Sequence, residues 1–203
     1  MSSMNCTSCG APVEIKNRFS KVFVCNYCGS HLKVGDDGLD IAGKYPKLAE
    51  FPSIFEVGSH GTILGKPFSA LGRMRYKYQG GHYDEWFIDL DGEKAWFTED
   101  EGTFTLYTDL FEAVDIPDVS AIRAGQNIMI GDKKVMVKEK GHAVIEGGEG
   151  ELYFYAEPGS EVTYLDAVSE GKKVSVEYTE NEVEMFAGRP LLKRDIVVEN
   201  QCR

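Results

Sequence analysis

Lys173-Val174-Ser175-Val176-Glu177-Tyr178-Thr179 alternates apolar and polar side chains, the period-two pattern of a strand with one packed face. Thr103-Phe104-Thr105-Leu106-Tyr107 repeats the pattern. Outward from these stretches, glycine cuts the chain at short intervals, at Gly65, Gly72, Gly80-Gly81, Gly92, Gly102, Gly125, Gly131, Gly141, Gly159 and Gly171. No window sustains a helical period, although Asp109 to Val114 would allow a turn of helix. Many short strands between turn signals predict a sandwich or a barrel. The expected fold is mainly β: a β-barrel- or sandwich-like body behind a small N-terminal module.

The body carries signs of duplication. At an offset of 66, Gly65 falls on Gly131 and Glu85-Trp86-Phe87 on Glu151-Leu152-Tyr153; at an offset of 67, Gly92 falls on Gly159. Two β units, 54–120 and 121–203, packed about a pseudo-twofold would bury the apolar face of each. Chance matches in a glycine-rich β chain are the alternative.

The N-terminal module is written in cysteines. Cys6-Thr7-Ser8-Cys9-Gly10 and Cys25-Asn26-Tyr27-Cys28-Gly29 are two CxxC pairs separated by fifteen residues, the spacing of a four-cysteine zinc site. Two tight turns aim four sulfurs at one point, and a glycine after each pair supplies φ > 0. Val13, Ile15, Phe19, Val22 and Val24 suggest two small strands between the pairs, so residues 1–35 read as a zinc ribbon, with 36–53 as a linker. So small a module lacks the core to fold alone, and ligation supplies the deficit. Zn²⁺ held by Cys6, Cys9, Cys25 and Cys28 would be structural, because four protein ligands leave no open position; iron is the alternative metal. His31 is expected to be a surface histidine and Cys202 a free thiol.

Composition excludes several classes. Of 203 residues, 22 are Lys or Arg and 33 Asp or Glu, a net charge of −11. The first fifty residues carry +1 and the remainder −12, so a whole-protein nucleic-acid role is not expected. The longest apolar run, Leu152 to Ala156, is too short for a membrane helix, and the N-terminal stretch has no leader pattern. A cytoplasmic location is therefore expected. Two Trp, ten Tyr and eleven Phe argue against disorder.

Chemistry-bearing residues cluster at His82, Tyr83, Asp84, Glu85 and Trp86, with Trp96 and Glu99 downstream and Glu151 as the repeat's counterpart of Glu85. A histidine beside carboxylates and aromatic rings suits either acid–base work or a binding surface. The simpler expectation turns Trp86, Ile88 and Leu90 to a core and Glu85, Phe87 and Asp89 outward. His60 and His142 make no metal-binding spacing, and no nucleophile elbow, P-loop or dinucleotide fingerprint occurs. No residue is assigned a catalytic role.

CTSCGAPVE (6–14) and VFVCNYCGS (22–30), then VGSHGTILGKPF (57–68), RMRY (73–76), YDEWFIDL (83–90), GEKAWF (92–97), GELYFYAEPG (150–159) and FAGR (186–189) together resemble the bacterial family DUF4178, over nearly the whole chain. The resemblance implies a β-rich bacterial protein that often carries such a ribbon in front, and it assigns no catalytic residues. Two functions follow. The first is a non-enzymatic interaction or scaffold protein, a ribbon tethered to an acidic body that binds a protein or polycationic partner. The second is an enzyme, or its accessory subunit, acting on a cationic small molecule such as a polyamine.

Overall fold

The computed structural model describes residues 2–35, 38–44, 47–112, 117–179 and 183–199. The N-terminal region supplies β1 (Ser2–Asn5), β2 (Pro12–Ile15), β3 (Val22–Val24), β4 (Ser30–Gly35) and β5 (Gly38–Lys44). The body begins with β6 (His60–Ile63), β7 (Lys66–Tyr78), β8 (Gly81–Leu90), β9 (Glu93–Asp100) and β10 (Thr103–Glu112). It continues with β11 (Asn127–Ile130), β12 (Lys133–Leu152), β13 (Glu161–Ser169), β14 (Lys172–Tyr178), β15 (Val183–Leu191) and β16 (Ile196–Glu199). Among the described residues the only helical pieces are 3₁₀ turns at Val119–Ala121 and Lys193–Asp195.

Eight antiparallel strands close into a barrel in the order β7-β8-β9-β10-β15-β14-β13-β12, with β12 returning to β7. Two four-stranded meanders, β7–β10 and β12–β15, thus meet first strand to first and last to last. Hairpins turn through Leu64-Gly65, Asp91-Gly92, Glu101-Gly102 and Glu170-Gly171, each with both residues at positive φ. That is the two-residue turn whose twist matches antiparallel strands. The matched Gly65 and Gly131 fall at the equivalent β6–β7 and β11–β12 turns. Glu85 and Glu151 do not correspond: one is mid-β8, the other at the end of β12. Asp109 to Glu112, where a turn of helix was allowed, is strand, because it pairs with Glu184 to Ala187 of β15.

Apolar burial lies largely outside the barrel wall. Trp86, Ile88, Ala95, Phe97 and Leu106 pack under Phe55, Ile63, Ile196 and Val198, so β6, β16 and the segment before them cover the first meander. Val135, Val137, Leu165, Val174, Val176 and Met185 pack in the same way under Ile122, Ile128 and Ile130. The other face of each strand points inward.

The ribbon joins the barrel sheet directly. At Gly150, β12 pairs with Gly72 of β7 on one edge and with Val24 of β3 on the other. Val22 and Val24 share a core with Met74, Tyr76, Ile145 and Val162 of the barrel. The connector expected over 36–53 contains β5, and its last part lies on the barrel, where Ala49 O accepts from Arg75 Nη1 at 2.6 Å. Gly72 is required at the seam: a Cβ there would stand 2.0 Å from Glu151 O.

Glu151, only 4% exposed, holds the ribbon's central loop. Its carboxylate accepts from Lys16 N at 2.9 Å, Asn17 N at 3.0 Å and Ser20 Oγ at 2.5 Å. Removing it would strand two backbone donors, each costing roughly 1–3 kcal/mol. Glu151→Ala is therefore expected to lower the melting temperature by on the order of 10 °C for a chain of this size. Amide exchange at Lys16 and Asn17 should accelerate, while the exposed Glu161→Ala changes neither. Unchanged stability and exchange in Glu151→Ala would contradict this role.

Candidate functional site

Two CxxC turns bring four sulfurs together. Gly10 N donates to Cys6 O at 2.7 Å and Gly29 N to Cys25 O at 2.8 Å, and both glycines have positive φ. The four Sγ atoms lie within 4.8 Å of one another, with Cys6–Cys28 and Cys9–Cys25 both 3.8 Å apart. A tetrahedron with Zn–S bonds of ~2.3 Å has edges of about 3.8 Å, so the sulfurs are spaced for a tetrahedral thiolate metal. His31 is not on the surface as expected: it is fully buried, edge-on to Tyr155 at 5.9 Å, and burial pushes its pKa down to about 3.

The second feature is the barrel interior. A cavity of about 250 Å³ is lined by Tyr78, Tyr83, Glu85, Thr98, Asp100, Tyr107, Glu139, Tyr164, Asp166, Lys173, Ser175, Glu177 and Phe186. These residues come from all eight barrel strands, which only the lumen of a closed barrel allows. A larger cleft, about 1310 Å³, runs from Glu85 and Glu177 past Met74, Tyr76, Phe87, Trp96 and Ile145 toward Lys21 and Lys33 of the ribbon. Glu85 and Glu177 line both spaces and so sit where they meet.

Their environment is unusual for carboxylates. Glu85 is 8% and Glu177 6% exposed, and neither is ion-paired to a described residue. Burial, then Glu177 and Glu184, holds the Glu85 carboxyl well above its ordinary range. Burial, with Asp166 adding repulsion, raises Glu177 to about 7, while a hydrogen bond from Tyr76 works the other way. Tyr76 and Tyr83 stack beside them at 4.7 Å, and burial keeps both phenols and that of Tyr107 protonated far above neutrality.

The cluster marked by sequence is divided by strand alternation. Tyr83 and Glu85 face the lumen, whereas His82, Asp84 and Trp86 face the outer wall. Asp84 receives Arg75 in a bidentate pair, Nε at 2.6 Å and Nη2 at 2.7 Å, and Arg73 Nη1 at 3.0 Å. Arg73 also meets Glu149 at 2.7 Å and lies over Trp86 at 5.0 Å. Asp84 is thus held in a buried structural network. His82 lies 3.2 Å from Glu146 with its ring against Phe51. Glu99 accepts from Ser53 Oγ and helps pin the segment over the first meander.

Trp96 faces the wide end of the lumen among Tyr153, Phe154 and Phe186, at 5.2–5.9 Å between ring centroids. The expectation for β8 is corrected at one point: Trp86, Ile88 and Leu90 do face a core, but Glu85 and Phe87 face the lumen rather than solvent. Sequence reading also missed Tyr76, Asp166 and Glu177. For Glu177 the signal was present in the alternation of Lys173 to Thr179, where the polar face points inward.

No helix among the described residues is long and apolar enough to cross a membrane. Comparison with curated proteins and with solved structures gave no match. The family described as Domain of unknown function (DUF4178) matches residues 56–193, which span the eight barrel strands and part of their outer cover but neither β16 nor the ribbon. With more than half the chain matched, barrel included, this protein belongs to the DUF4178 family.

Proposed function

We propose that this is a non-enzymatic binding protein whose ligand enters the barrel interior, with a ribbon stabilised by Zn²⁺ built onto one end. The observation that carries this reading is the lumen. A barrel filled for stability alone is lined by interdigitated apolar side chains without voids. Here two apolar layers lie outside the wall, and beside its own apolar clusters the interior keeps a cavity lined by aromatic rings, five carboxylates and one lysine. A protein partner on the acidic outer surface has less support, because Asp84, Trp86 and Glu151, three of the residues expected to meet it, are buried. A catalytic reading keeps one observation in its favour: Glu85 and Glu177 are neighbouring carboxyls in unequal surroundings, as an acid–base pair requires.

Four thiolates suit a closed structural Zn²⁺ and a reducing, cytoplasmic setting. Protein purified without chelator is expected to hold one zinc per chain, and Cys25→Ser to lose it and melt earlier. Because Val22 and Val24 share a core with Met74 and Tyr76, the near-ultraviolet dichroism of the barrel aromatics should change as well. Absence of any thiolate-bound metal would contradict the metal assignment.

The lumen is tested with N-phenyl-1-naphthylamine, a neutral fluorophore that brightens in apolar surroundings. Saturable brightening at one site per barrel is expected, with loss in Ser175→Phe, which fills the cavity, while cooperative melting persists. Equal brightening in that variant would place the probe elsewhere and overturn the reading.

A further inference from the structure

We propose that the lumen selects an organic cation, an ammonium group on an apolar body, with its nitrogen between Glu85 and Glu177. This rests on the reading of the lumen as the ligand site. Three observations point to the charge and kind of ligand. First, Glu85 is nine-tenths buried, lines the cavity, and receives no hydrogen bond or ion pair from a described residue. A buried carboxyl without a partner is costly, and a bound cation removes that cost. Second, the charge of the inner cavity is one-sided. The inner cavity sets Glu85, Asp100, Glu139, Asp166 and Glu177 against Lys173 alone, which is shared with Asp166 at 3.4 Å. An anion would meet repulsion along that whole wall. Third, the walls beside the two glutamates are aromatic. Tyr76, Tyr83, Phe87 and Trp96 line the space there, and aromatic rings attract a soft cation and pack its apolar body.

A metal ion fits less well. Hard cations need several converging oxygens, and among the described residues no three carboxylates come together; only the four cysteine sulfurs converge in that number. An ammonium asks only for one or two carboxylates and rings.

Occupancy should be coupled to a proton. The groups facing the pair are Tyr76 and Tyr78 from β7, Tyr83 from β8, Thr98 and Asp100 from β9, Tyr107 from β10, Glu139 from β12, Tyr164 and Asp166 from β13, Lys173 and Ser175 from β14, and Glu184 from β15. The nearest of these to Glu85 and Glu177 are phenols and acids, so the empty pair retains a proton near neutrality. A bound cation favours the doubly ionised pair and expels that proton. Affinity therefore rises with pH, since protonation competes with the ligand.

The test uses hexyltrimethylammonium, which carries a fixed charge, with 1-hexanol and hexanoate as neutral and anionic counterparts. Binding is measured by calorimetry and by displacement of N-phenyl-1-naphthylamine from the full-length, metal-loaded protein. The cation is expected to bind at least about tenfold more tightly than hexanol, and hexanoate not to bind. Glu85→Gln and Glu177→Gln, which keep shape and remove charge, should each weaken the cation about tenfold or more, with Glu93→Gln as the neutral control. On the unaltered protein, affinity should rise roughly tenfold from pH 6 to pH 8 with proton release, a readout independent of variant folding. If the naphthylamine binds but hexanol matches the cation, or the Gln variants bind it unchanged, the charge assignment is overturned while the lumen site stands. If neither the fluorophore nor the cation binds, both fall.

Discussion

The pairing of β7 with β12, from Tyr76 against Ile145 to Gly72 against Gly150, turns an open sheet into a closed one. Each meander alone would present two free edges and one exposed apolar face. Closure removes the edges and creates an inside. The seam tolerates no side chain at Gly72, since the Glu151 carbonyl lies where a Cβ would stand. That approach leaves the far edge of β12 available for β3, so the ribbon is an extension of the barrel sheet. Glu151 then gathers Lys16, Asn17 and Ser20 onto the barrel's end.

Closure also settles which face of each strand does which work. The faces rich in Trp86, Ile88, Phe97, Val174 and Val176 point away from the axis and are covered by chain that precedes or follows each meander. With apolar burial supplied there, the lumen is relieved of filling itself with aliphatic side chains. Its inner cavity holds tyrosines and carboxyls, among them the buried Glu85 and Glu177. The ribbon stands at the wide end, with Lys21 over Tyr153 and Lys33 over Tyr155. Ribbon and lumen are thus mechanically joined.

Much of this was legible in the chain, for reasons that can be named. The CxxC pairs announce themselves because ligand spacing is local, and X-Gly turns mark hairpins because only a few residues accept positive φ. Period-two alternation gave the strands from Phe104 to Tyr107 and from Val174 to Tyr178. Alternation carries no sign, however: it separates two faces without saying which one is inside. Glu85 therefore read as solvent-facing and Glu177 only as one of a polar face, and closure of the barrel turns both inward. The cluster His82 to Trp86 misled for the same reason, because consecutive strand residues point to opposite sides of the wall. Glu151 resembled Glu85 in its neighbours, yet its role depends on the Lys16–Ser20 loop, more than a hundred residues away.

The central claim is that Glu85 and Glu177 share a buried, ligand-accepting lumen. Carbon-13 NMR of the glutamate side-chain carboxyls across a pH titration tests it most directly, with Glu85→Gln and Glu177→Gln used to assign the two signals. The account predicts a midpoint at about 7 for Glu177 and one raised well above the ordinary carboxylate range for Glu85. Both should fall when hexyltrimethylammonium is added. Two midpoints in the ordinary carboxylate range near 4.5, unmoved by the cation, would mean an open, hydrated interior and would contradict it.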